Sequence, residues 1–253
     1  MYLTTRGLVL RVSPYNDTDA MLTLLTGEQG RVSAKVRGLR RKNSPLSAPC
    51  QLLAYAEFTL FEYKGSYTVN EAQTIELFSD LRKDLQRLSL GTYFAQVSEI
   101  LSQEDDPNPG ILSLVLNCLH VLSRGQLPEE QIKAVFELRS ACLAGYTPDL
   151  MGCYVCGDQV PDFLDLSGGH LECMRCRNQG SSGIRLPITP GILDAMRYIC
   201  DCDAKRLFSF SLPTDSMEQL STVTESYLST QLERGFSSLD FYKSLLFQTD
   251  PVI

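Results

Sequence analysis

The 253-residue chain is 43% hydrophobic and 21% charged, proportions of an ordinary globular protein with room for one large domain or two to three small ones. Its net charge of −7 argues against nucleic acid only on average, because residues 1–80 hold nine Lys/Arg against eight Asp/Glu and residues 81–253 fourteen against twenty-two. No stretch approaches the roughly 20 apolar residues that span a bilayer, and Met1 to Arg11 alternates like a strand instead of forming the apolar core of a signal peptide; a cytoplasmic chain with no membrane contact is expected.

From Leu3 to Leu77 the sequence reads as short strands: Leu3–Val12, Thr18–Thr26, Arg31–Leu39, Leu52–Tyr63 and Tyr67–Leu77. Turns fall at Gly27–Gly30 and Lys64–Ser66, and a basic loop runs from Arg40 to Pro49. Five strands in under 80 residues suit a small closed barrel, with an OB-fold the leading candidate and an SH3-like barrel its main rival. Strand count alone does not separate the two. In the third strand, alternation places Val32, Ala34 and Val36 inward and Arg31, Ser33, Lys35 and Arg37 outward. Arg40, Arg41 and Lys42 continue the run, giving six basic residues and no acid between positions 31 and 42. A single-sign face of this kind is a candidate phosphate-binding surface.

After Asp80 the apolar period becomes helical. Helices are predicted from Leu81 to Leu101, Gly110 to Ser123, Glu129 to Leu143, Pro190 to Cys200, Asp215 to Arg234 and Ser238 to Phe247, with a frayed tail at 249–253. Nine cysteines, an odd number, argue against a full disulfide framework. Cys50, Cys118 and Cys142 each sit among apolar residues and read as buried small hydrophobes. Cys200 and Cys202, with one residue between them, suit a shared metal poorly.

Cys153, Cys156, Cys173 and Cys176 have the spacing C-x2-C-x16-C-x2-C, that of a four-thiolate zinc site. Two intervening residues let one tight knuckle aim both sulfurs at one ion, and Gly157 admits the positive φ such a knuckle needs. Phe163 to Leu166 and His170 to Glu172, around Ser167-Gly168-Gly169, read as a hairpin that brings the two pairs together. Four thiolates leave no open position, so one structural zinc ion is expected. A zinc hydrolase would need His170 to replace a thiolate. No phosphate-binding loop, zinc-protease helix or serine elbow is present, and His120 and His170 are the only histidines, so the chain is not expected to be an enzyme.

Phe136-Glu137-Leu138-Arg139, Gly145-Tyr146-Thr147-Pro148-Asp149-Leu150 and Cys153-Tyr154-Val155-Cys156-Gly157 resemble the bacterial recombination mediator family RecO, as does Thr5-Arg6-Gly7-Leu8-Val9-Leu10 with Asp17-Thr18-Asp19. The resemblance covers nearly the whole chain. It implies an α+β architecture: a five-stranded OB-fold barrel at 1–79, a helical domain at 80–149 and 186–248, and an inserted four-cysteine zinc ribbon at 150–185. It further implies a mediator that binds single- and double-stranded DNA, anneals complementary strands and acts with RecR. Such a protein contacts the acidic C-terminal tail of single-stranded-DNA-binding protein and helps RecA indirectly, associating with the nucleoid during repair. Carried onto this sequence, Arg31, Lys35, Arg37, Arg40, Arg41 and Lys42 become the DNA contacts. Tyr15 and Tyr55 become stacking candidates, and Arg139 a candidate for the acidic tail. Arg175 and Arg177, beside Cys176, are further cations within reach of phosphate. The competing reading from the residues is a zinc-ribbon transcription or translation accessory factor.

Overall fold

The alternation of the N-terminal third puts every second side chain on one face, and burying that face closes the chain on itself. In the computed structural model, which describes residues 1–177 and 183–247, five strands form a closed barrel: β1 (Tyr2–Pro14), β2 (Ala20–Thr26), β3 (Arg31–Val36), β4 (Tyr55–Tyr63) and β5 (Ser66–Glu76). Their order is β1-β2-β3-β5-β4, with β1 antiparallel to both β2 and β4 and β3 parallel to β5. That connectivity is an OB-fold. Val9, Leu22, Val32, Ala34, Phe58 and Leu60 fill the interior, each large side chain contributing about 1.5–3 kcal/mol by burial.

Two strand ends differ from the sequence pattern for backbone reasons. β3 stops at Val36, three residues early, because Gly38 adopts φ +65° and gives its N–H to Asp19 Oδ1 at 2.9 Å. β4 begins at Tyr55 because Leu53 lies at φ +63°, outside the extended region. The β4–β5 link is the two-residue turn Lys64-Gly65, with φ of +50° and +74°, the type I′ geometry that matches strand twist.

The chain forms two compact units, residues 1–126 with the segment from Phe236 onward, and residues 127–235. In the first, α1 (Leu85–Leu101) packs on β1 and β2 and carries α2 (Pro109–Arg124) and α6 (Ser237–Leu246). α1 starts later than the periodicity from Leu81 predicts. Leu81 instead lies in a 3-10 turn, and Asp84 caps α1 by accepting from the N–H groups of Gln86 and Arg87. Gly30, at φ +64°, sits so near the carbonyls of Gln103 and Asp106 that any Cβ would collide with them.

In the second unit α3 (Glu129–Leu143), α4 (Pro190–Asp201) and α5 (Thr214–Gln231) accompany a four-stranded sheet. Its strands are β6 (Asp149–Cys153), β7 (Phe163–Asp165), β8 (His170–Glu172) and β9 (Arg185–Pro187), in the order β6-β8-β7-β9. The β7–β8 hairpin is the predicted one; β6 and β9 add an outer strand on each side. Tyr227 Oη donates to Tyr146 O at 3.0 Å, Gln231 Nε2 to Leu166 O at 2.7 Å and Arg197 Nε to Leu150 O at 2.9 Å, holding the sheet to α4 and α5. The expected tail at 249–253 lies outside the described residues. No helix among the described residues is long and apolar enough to cross a membrane.

Candidate functional site

Two constellations stand out, one on each unit. The first surrounds the end of β3. Val32, Ala34 and Val36 are buried and Ser33 and Arg37 exposed, as alternation requires. The β1–β2 turn comes to meet this end of the strand: Asn16 Oδ1 accepts from the N–H groups of Thr18 and Asp19 at 2.9 and 2.7 Å, an Asx turn. Asp19 then reaches across. Besides Gly38 N–H it takes Lys35 Nζ at 3.1 Å, and together these hold its carboxyl well below the usual carboxylate range, the Gly38 N–H most of all. Lys35 Nζ also lies 4.1 Å from the centre of the exposed Tyr15 ring. Arg40 fastens the two turns from the other side, its N–H to Thr18 O at 3.0 Å and its Nη1 to Asn16 O at 3.0 Å.

The six basic residues therefore separate into groups. Arg31 sits at the opposite end of β3, paired with Leu25, where it donates to Glu99 O at 3.3 Å and lies 4.0 Å from Glu104. Lys35 and Arg40 stand at the site but have protein partners. Arg37, Arg41 and Lys42 are exposed and have no ion pair or hydrogen bond from their side chains among the described residues. Tyr15 belongs to this cluster. Tyr55 does not: it pairs with Leu8, roughly 20 Å back along β1 from Tyr15.

The second constellation is the cysteine cluster. Cys153 ends β6, Cys173 follows β8, and Cys156 and Cys176 complete the two knuckles. All four Sγ atoms lie within 4.8 Å of one another. Cys156 Sγ and Cys173 Sγ are 3.7 Å apart, far beyond a disulfide bond and close to the edge of a tetrahedron with bonds of about 2.3 Å to a central ion. Gly157, at φ +73°, gives its N–H to Cys153 O at 2.8 Å, and Cys173 N–H points at Cys153 Sγ at 3.3 Å. Burial raises the Cys153 thiol, but the N–H groups of Cys156, Cys173 and Val155 outweigh it and bring the group to about 6. Cys176, crowded first by Cys173, is pushed up to about 12. Four thiols this close cannot all ionise without a cation among them. The residues fit a tetrahedral thiolate-bound metal ion.

Comparison with known proteins identifies the family of the chain. The family model described as recombination protein O N terminal matches residues 1–78, and that described as recombination protein O C terminal matches residues 82–240. A DNA repair protein RecO of Acetivibrio thermocellus is 35% identical over 247 residues, covering 96% of this chain and 97% of its own length. The chain belongs to the RecO family. A second relative of the same name, from Alkaliphilus metalliredigens, is 30% identical over 248 residues, covering 97% of this chain and all of its own length. RecO proteins are DNA repair proteins, and the OB-fold barrel coincides with the N-terminal RecO domain.

Other candidate residues have partners within the protein. In this RecO chain, Arg139 Nη1 donates to the carbonyls of Ile199 and Cys200 and so caps the last turn of α4. Cys142 is not a solitary buried residue: it is half-buried with its Sγ 3.6 Å from that of Cys200, because α3 and α4 bring their last turns together. Arg175 is tied to Asp158 at 3.0 Å, and Arg177 stacks 4.9 Å from the Phe163 ring. Sequence reasoning gave no role to Asn16 and Asp19, whose signal was an Asn-Asp-Thr-Asp turn beside an alternating strand. It also missed the buried Glu172, which receives Arg185 Nε at 2.5 Å and ties β8 to the β9 strand beyond β7.

Proposed function

We propose that this RecO-family chain is a non-catalytic mediator of recombinational repair. It binds single- and double-stranded DNA through the barrel, anneals complementary strands and, with RecR, helps RecA onto DNA coated with single-stranded-DNA-binding protein. The observation that carries this reading is the three free cations Arg37, Arg41 and Lys42 on the turn after β3, which Asp19 and Arg40 hold against the β1–β2 turn of an OB-fold. OB-folds take oligonucleotides on that face. Arg37, Arg41 and Lys42 supply phosphate contacts that ignore sequence, as annealing of arbitrary strands requires. Lys35 and Arg40 stiffen the turns and add charge, while Arg31 contributes from the far end of the strand.

The cysteine cluster holds one structural zinc ion. The donor set is all thiolate, which suits zinc, and it leaves no position for water or substrate, so the ion folds β6–β9 and does no chemistry. On this reading residues 1–79 are the DNA-binding domain, and the ribbon at 150–185 is an insertion among the helices of 80–149 and 186–248, which the two compact units share. The acidic tail of single-stranded-DNA-binding protein is assigned to Arg139, whose Nη2 has no hydrogen-bond partner among the described residues.

The test is annealing of complementary oligonucleotides coated with single-stranded-DNA-binding protein, followed by fluorescence. Acceleration over the spontaneous rate is expected, and it is lost when Arg37, Arg41 and Lys42 are replaced by alanine. No acceleration by the wild-type chain refutes the mediator reading and returns the zinc-ribbon accessory factor as the better one.

A further inference from the structure

Strand register carries one more consequence. Lys35 pairs with Thr68, Thr68 with Phe61, and Phe61 with Tyr2. These four residues form one outward row around the barrel, from the basic turn across β3, β5, β4 and β1. The adjacent pairs Ala34–Tyr67 and Val69–Leu60 point the other way, toward the core. Neighbouring strands are about 4.8 Å apart, so Lys35 to Phe61 spans about 10 Å, three steps of a strand stacked at about 3.4 Å.

The far end of the row is aromatic and unusually open. Tyr2 is 62% exposed, Phe61 39% and Tyr63 62%, whereas Phe58, three residues before Phe61 on the same strand, is fully buried. The Tyr2 and Phe61 rings lie 5.3 Å apart, tilted by 55°, and Tyr63 stands two residues on along the same face of β4. Lys64, on the tight β4–β5 turn, places its Nζ 5.3 Å from the Tyr63 ring. Glu57, further back on the outward face of β4, is taken up by Arg6 at 3.3 Å. Lys64 thus flanks the rings from the turn, and Lys35, paired with Asp19, stands at the other end of the row.

We infer that Tyr2, Phe61 and Tyr63 are a stacking platform for unpaired bases of single-stranded DNA, entered from the basic turn along the Lys35–Thr68 row. The inference rests on the reading of the barrel as the DNA-binding domain and adds what that reading lacks, a means of preferring single strands over duplex. Phosphate contacts treat both alike. Exposed rings reward only bases that are not already stacked and paired, and they accept any base because each has a π-face. The order of the row also gives a division of labour: charge at Arg37–Lys42 captures the backbone, and the rings hold the bases beyond it.

The experiment measures binding of the full chain to a fluorescein-labelled oligothymidylate and to a blunt duplex, by anisotropy across a salt series. Tyr2→Ala and Phe61→Ala each weaken oligothymidylate binding about fivefold or more, leave duplex affinity unchanged and keep the salt slope, whereas Phe61→Tyr retains most of the affinity. These exposed positions tolerate alanine without unfolding, which circular dichroism checks. Equal loss on oligothymidylate and duplex overturns the inference, as does no loss on either. An alanine pair that spares DNA binding but changes the sedimentation of the protein overturns it too, since the rings then serve a protein contact. A wild-type chain with a flat salt dependence on both probes sinks the basic-face reading itself, and the platform with it.

Discussion

Replacing Arg37, Arg41 and Lys42 with alanine removes the three cations of the basic turn whose side chains have no partner among the described residues. Each phosphate neutralised on a single strand contributes about −0.7 to the slope of log affinity against log salt. Removing three such cations therefore flattens the slope by about two units. Between 50 and 200 mM salt, two units correspond to roughly a twentyfold difference in affinity, so the variant falls furthest behind at low salt and converges on the wild type at high salt. Arg31→Ala is the control. Its guanidinium already donates to Glu99 O and lies at the other end of β3, so its removal changes the slope by less than one phosphate's share. The assay is fluorescence anisotropy with a labelled oligonucleotide over a salt series. If Arg31→Ala flattens the slope as much as the triple variant does, the division of the basic run into free and committed charges is wrong.

Three further outcomes follow from the same geometry. Because the Asp19 carboxyl is held below its usual range by Gly38 N–H and then by Lys35, its contribution is complete above the unfolded carboxylate range and lost only as pH falls through the lower folded value. The Gly38 amide accordingly stays protected from hydrogen exchange at pH 5, and Asp19→Ala exposes it at neutral pH. Elemental analysis finds one zinc per chain; Cys153→Ser or chelation, which forfeits binding energy on the order of 10 kcal/mol, makes the β6–β9 region the first site of proteolysis. Lys133, 4% exposed on α3, lies 3.0 Å from Glu137 and 2.8 Å from Glu225, so Lys133→Ala leaves two facing carboxylates without the ammonium between them and costs about 3–5 kcal/mol in urea unfolding.

What could be read from the sequence was whatever is local. β3 shows it: burial of one face forces Val32, Ala34 and Val36 inward by period two, and the chain advertises that pattern. The cysteine knuckles were legible for the same reason, since two residues of spacing and one glycine determine a knuckle by themselves. Barrel type was legible through the family resemblance and not from strand count, because it depends on β3 finding β5 in parallel and β1 finding β4, pairings between segments far apart in the chain. β6 and β9 escaped notice because three to five residues make too little pattern. Cys142 and Cys200, 58 residues apart, could be joined only by folding.

The basic run shows why charge counting alone misjudges a binding face. By sequence, Arg31, Lys35, Arg37, Arg40, Arg41 and Lys42 are equivalent. In the fold, Asp19 and Asn16 come from the β1–β2 turn and take up Lys35 and Arg40, while α1 takes up Arg31. A cation already paired gains less from a phosphate than a free one, because it must exchange a partner instead of releasing only water and counterions. On the proposed reading Lys35 and Arg40 act on DNA indirectly, by fixing the turn on which the free cations stand, and Arg31 lies away from that turn. The three exposed cations thus stand on a turn held by hydrogen bonds, at one end of a row that leads to Phe61 and Tyr2.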